Sequence, residues 1–164
     1  FNGKGPARRY NDMDEIRLGL LKWLCDQTGA EIVISSTWRK GSNIGWFEGF
    51  FASYGWVRPP IIGMTPEVAS FRGTEVNAWL DENTHYSNNC TYVIFDDDSD
   101  FFEDQTFIHV NRNAGLTAHH IFRAIDIFGY KEGMDQKDID NSISLRESVE
   151  FKRKTTLGDP LPRE

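Results

Sequence analysis

Four carboxylates fall within five residues at Asp96-Asp97-Asp98-Ser99-Asp100, directly after the apolar run Tyr92-Val93-Ile94-Phe95. Negative charges packed this closely raise one another's pKa unless a cation lies among them. A hard divalent ion with oxygen ligands meets that need, and Mg²⁺ is the commonest small one. Open α/β sheets bind ligands beyond the carboxyl ends of their strands, which is where this cluster falls. A solvated acidic loop would have the same composition, so its neighbours must be read with it. Ser35-Ser36-Thr37-Trp38-Arg39 follows the β-branched run Ile32-Val33-Ile34. A hydroxyl at the end of a strand can donate to a phosphoryl oxygen, helped by N–H groups that open the next turn. The same residue types also simply cap turns. Arg72 opens a helical segment at Phe71-Arg72-Gly73-Thr74-Glu75. A cation is unusual there, because a helix N-terminus already carries positive partial charge. A surface arginine is the alternative reading.

The elements that would hold these groups alternate. Residues 1–11 read as loop, with two glycines, a proline and Arg8-Arg9. A helix is predicted from near Asp12, capped by Asn11 or Asp12, with Met13, Ile16, Leu20, Trp23 and Leu24 at helical spacing and Gly29 as its stop. Residues 31–36 form a continuous apolar strand of the kind covered on both faces. An aromatic helix is predicted over 43–54, a short strand at Ile61-Ile62, a helix over about 73–83 with Val76, Trp79 and Leu80 on one face, a strand over 91–96 and another over 107–110. A last helix runs from Thr117 to the stop at Gly129 and carries Ile121, Ala124, Ile125 and Phe128. This order predicts an α/β layered domain with a mainly parallel sheet over residues 1–130. Residues 131–164 are polar, and the pattern there predicts a tail with one short helix near 144–153, suited to docking on a protein partner.

The 164 residues suffice for one domain with a real core. A formal net charge of −7 argues against a broad basic face for nucleic acid but leaves room for a small phosphate site. Cys25 and Cys90 lie far apart and fit no metal-ligand spacing. No apolar run approaches a membrane span and no signal peptide is visible, so a cytoplasmic location without membrane contact is expected. The opening Phe1-Asn2-Gly3-Lys4-Gly5-Pro6 reads like the middle of a loop.

A hydroxyl after one strand, a cation before a helix and paired Asp after the next strand resemble motifs two to four of the haloacid dehalogenase (HAD) superfamily of phosphohydrolases. Ile34-Ser35-Ser36-Thr37-Trp38-Arg39, Gly63-Met64-Thr65-Pro66, Arg72-Gly73 with Glu75-Val76 and Trp79-Leu80, the 96–100 segment and Asn113-Ala114-Gly115-Leu116-Thr117 look like the HAD-type domain of Swiss-army-knife RNA repair proteins. The resemblance covers about residues 11–129 and implies a three-layer Rossmann-like core without a large cap. It implies Mg²⁺-dependent phosphomonoester hydrolysis through a phosphoaspartate, on a nucleic-acid end or a nucleotide. It gives the phosphoryl-binding hydroxyl to Ser36 or Ser35, which face opposite ways on a strand. The cation role falls to Arg72 where the family normally has Lys. Metal binding falls to Asp96 with Asp97 or Asp100. Thr37, Arg39 and Trp46 are candidate substrate contacts.

The family's first motif, an Asp-x-Asp on the central strand, has no counterpart here. Asp12 and Asp14 have the spacing, but no apolar strand leads into them. The resemblance therefore implies a first strand upstream of Phe1. The alternative is a catalytically inactive binding or assembly module that keeps the fold without the nucleophile. The aromatic run favours core packing, with Trp46 and Trp56 the candidates for a substrate lip. His119-His120 reads as surface or interfacial histidine, and Lys152-Arg153-Lys154 as solvated charge.

Overall fold

A computed structural model describes residues 15–87 and 90–157. The element order is α1 (Glu15–Thr28), β1 (Ile32–Ile34), a 3₁₀ turn (Thr37–Arg39), α2 (Ile44–Ser53), β2 (Ile61–Met64), α3 (Arg72–Glu82), α4 (Thr84–Ser87), β3 (Ile94–Asp96), β4 (Phe107–His109), α5 (Ala118–Phe128) and α6 (Gln136–Leu157). The chain divides after Gly129 into two units. The helix start expected near Asp12 lies outside the described residues.

The first unit is α/β with parallel pairing throughout. β1 pairs with β2, and β3 pairs with β4. Among the described residues, each strand therefore has one neighbour and one open edge. The alternation of backbone groups shows which edge is open. Ile32 donates to Pro60 O and Ile34 O accepts from Thr65, so Val33 between them turns its N–H and C=O away from β2. Ile94 donates to Thr106 O and Asp96 O accepts from Val110, so Phe95 faces away from β4. The open edges of β1 and β3 border one cavity of about 1250 Å³, lined by residues 32–38 on one side and 92–98 on the other. The strand expected over 91–96 is regular only from Ile94, because β4 offers partners no earlier than Phe107.

Asn43 caps α2 by accepting from Trp46 N at 2.9 Å. Phe47, Phe50 and Phe51 recur at helical spacing and are buried. Phe50 meets Trp46 in a parallel stack at 5.3 Å and Trp38 edge-on at 5.9 Å, while Phe51 stacks on Trp56 at 5.5 Å. Leu18 and Cys25 of α1 complete this core. The inward stripe of α1 is Leu18, Leu24 and Cys25, whereas Ile16 stands in solvent. Trp23 of α1 meets Phe122 of α5 edge to face at 5.6 Å. Trp79 of α3 lies over Gly63 of β2 so closely that a Cβ there would come within 2.6 Å of its indole nitrogen. α5 ends at Gly129, whose φ of +74° glycine adopts without penalty.

The second unit departs from the sequence reading. Where one short helix over 144–153 was expected, α6 runs for 22 residues. Its start is capped by Asp135, which accepts from Lys137 N at 2.8 Å. Gln136 donates to Asp140 four residues on at 2.9 Å, and Tyr130 donates to Ser142 at 3.1 Å. No apolar stripe marks this helix, so periodicity could not reveal it; caps and side-chain pairs of this kind sustain it instead.

Candidate active site

The acidic segment begins where β3 ends. Asp96 is the last strand residue, and its Oδ1 accepts from Asp98 N at 2.9 Å, which bends the chain back on itself. One carboxylate oxygen from each of Asp96, Asp97 and Asp98 lies within 4.8 Å of the others. Arg72, the first residue of α3, turns its guanidinium into this cluster. It pairs with Asp96 Oδ2, with Asp98 Oδ2 at 2.5 Å and with Asp100 Oδ1 at 3.4 Å. Arg112, in the loop after β4, donates to Asp97 Oδ2 at 2.5 Å. His109 Nε2 lies 3.1 Å from Asp97 O.

These contacts set the charge states. Burial pushes the Asp96 carboxyl above its usual range, against the pull of the Asp98 N–H and Arg72. The hydrogen bond from Arg112 holds Asp97 below that range. Formal charges of −4 on the four Asp and +2 on Arg72 and Arg112 leave an excess of −2 here. A small dication matches that excess and the all-oxygen donor set. Asp96, Asp97 and Asp98 are the residues that would hold it.

Asp100 stands elsewhere than a metal ligand would. Its Oδ2 accepts from Arg72 N at 3.2 Å and its backbone oxygen from Gly73 N at 2.9 Å. Phe71 precedes α3 with no capping side chain, and Asp100 satisfies those first N–H groups in its place. Asp98 takes the position expected of Asp100. The signal for it was available: an Asp accepting from the N–H two residues on folds that residue back beside it.

Across the cavity, Ser36 Oγ accepts from Trp38 N at 3.3 Å and opens the 3₁₀ turn. Ser35, Ser36, Thr37, Arg72, Asp96, Asp97, Asp98 and Arg112 all line the one cavity. Arg39, Trp46 and Asp100 do not. Arg39 is 4 % exposed and directs its donors inward to Glu75, Thr65 O, Ser35 O and Ser36 O. That arrangement corrects the expectation that Arg39 touches substrate. Trp46 is half-buried in the aromatic core, and Trp56 is buried, so neither forms a lip. His120 accepts from Thr117 N at 3.1 Å and helps to cap α5. Arg112 escaped the sequence reading, since nothing local separates it from any charged loop residue.

Parallel strands with hydroxyls, a helix-borne cation and carboxylates gathered at their carboxyl ends define a HAD-class α/β domain. The family described as the HAD domain in Swiss Army Knife RNA repair proteins matches residues 3–121, more than half of the chain, and the chain belongs to it. Neither a curated protein nor a solved structure matches the chain. Among the described residues, no helix is long and apolar enough to cross a membrane.

Proposed function

We propose that this protein is a Mg²⁺-dependent phosphomonoester hydrolase acting on a nucleic-acid end or a nucleotide through a phosphoaspartate. The observation that carries the reading is the convergence of Ser35, Ser36, Arg72 and Asp96–Asp98 on one cavity. The family's place in RNA repair supports the substrate class. A serine hydroxyl donates to a phosphoryl oxygen, and Arg72 neutralises the charge that builds on the equatorial oxygens. Bound at Asp96, Asp97 and Asp98, Mg²⁺ supplies Lewis-acid polarisation of the phosphoryl group. Among the described residues, no carboxylate besides the acidic segment stands at a strand's carboxyl end in this cavity. The phosphoaspartate route calls for a carboxylate that faces Arg72 and the serines across this cavity. This carboxylate attacks phosphorus in line and expels the alcohol, and water then cleaves the acyl phosphate.

The second reading is a non-catalytic module that binds phosphorylated ends. One experiment separates them. Phosphate release from 3′- and 5′-phosphorylated oligonucleotides and from nucleotides is measured with and without Mg²⁺, for the native protein and for Asp96→Asn. Mg²⁺-dependent release that Asp96→Asn abolishes is the expected result. Release unaffected by Asp96→Asn would overturn the site, and binding without release would establish the module.

A further inference from the structure

Arg39 and Glu75 form an ion pair whose side chains are 2 % and 4 % exposed. Arg39 does more than meet its counter-ion. Its Nε donates to Thr65 O at 2.9 Å, just beyond β2. Its Nη1 donates to Ser35 O at 2.6 Å and Ser36 O at 3.1 Å, just beyond β1. Nη2 goes to Glu75, in the first turn of α3, three residues from Arg72. One rigid guanidinium thus joins the carboxyl ends of two strands to the helix that carries the site's cation.

A buried ion pair is a weak source of stability, because desolvation offsets most of the attraction and apolar substitutes of similar volume are often neutral. A role in fixing geometry is the better account of this one. We infer that Arg39 and Glu75 are positioning residues, setting the serine loop after β1 against Arg72 across the cavity. The inference rests on the proposed phosphoryl-transfer site, to which it adds residues that never touch substrate.

The test compares the native protein with Arg39→Met/Glu75→Leu and with Arg39→Lys. Four quantities are read: thermal midpoint, amide hydrogen exchange over residues 35–38 and 72–75, and kcat and KM for a phosphorylated oligonucleotide. The double variant leaves the Thr65, Ser35 and Ser36 carbonyls without their donor, so its midpoint should fall; exchange should speed up over both segments more than elsewhere, and kcat should drop by about 100-fold, the size of effect that a misplacement of ~1 Å produces. KM should move far less. Arg39→Lys keeps the charge but not the fork, so it should speed exchange over the same segments without restoring kcat. Native exchange and native kcat in the double variant would overturn the inference. If the double variant does not fold, Arg39→Lys decides alone: native kcat with native exchange overturns, slow turnover with faster exchange confined to the two segments supports. If the native protein releases no phosphate, the proposed activity has failed. Exchange then decides this inference by itself, faster over the two segments than over the other elements supporting it and unchanged overturning it.

Discussion

Replacing Arg72 with Gln should make the protein less stable and, at the same time, a better Mg²⁺ binder. Arg72 is 14 % exposed and its partner Asp96 is 8 % exposed. Removing one member of a pair this buried leaves an uncompensated charge and costs about 3 kcal/mol. The Asp98 arm, with that carboxylate 54 % exposed, adds only about 0.5 kcal/mol. Together these lower the midpoint by about 10 °C for a domain of this size. The local excess of −2 becomes −3. One unit charge acting on a dication at ~6 Å in a water-like dielectric is worth about 1.4 kcal/mol, so Mg²⁺ affinity should rise about tenfold. Thermal melts with and without millimolar Mg²⁺, beside isothermal titration, read both effects. Mg²⁺ should raise the midpoint of Arg72→Gln more than that of the native protein. A variant as stable as native, or one that binds Mg²⁺ more weakly, would refute the charge balance drawn for this site.

Two further expectations follow from packing and capping. Gly63→Ala forces a methyl against the buried indole of Trp79 and should cost about 1–3 kcal/mol, read by urea unfolding; native stability would show that the indole yields freely. Burial holds the His120 pKa below the usual 6.5, with the neutral ring accepting from Thr117 N. The unfolded chain therefore takes up a proton first, and this contribution is complete above about pH 6.5 and lost as pH falls towards the lowered folded value. The melting midpoint should drop between pH 7 and 5 less in His120→Asn than in the native protein; equal drops would remove His120 from the account.

What the sequence revealed followed from periodicity and punctuation. Asn43 and Gly129 mark helix ends to within a residue, and the β-branched run at 32–34 forms a strand as its pattern demands. Ser36, Arg72 and Asp96 reach one cavity because strand ends and a helix start fix them. Positions decided by a single tertiary contact were not legible. Arg39 looks like any loop arginine until Glu75, 36 residues away, meets it. Asp100 looks like a third metal ligand until the uncapped start of α3 takes it. Trp46 and Trp56 carry no mark that separates a lip from a core, and only their stacking on Phe50 and Phe51 decides it.

The open edges of β1 and β3 also bear on how the domain holds together as it breathes. No ladder links the two strand pairs among the described residues. Beyond the packing of α1 on α5, the ties between them are short and local. They include the ion pairs of Arg72, the bonds of Arg72 and Gly73 to Asp100, those of Gln105 to Gly73 and Asn77, and the ring contact of Phe71 with Phe102. The chemistry-bearing cluster is therefore a clasp between the two strand pairs of the first unit. Whatever binds there and draws the clasp tight couples their fluctuations. Cooperativity of unfolding within the first unit should then rise with occupancy of its site.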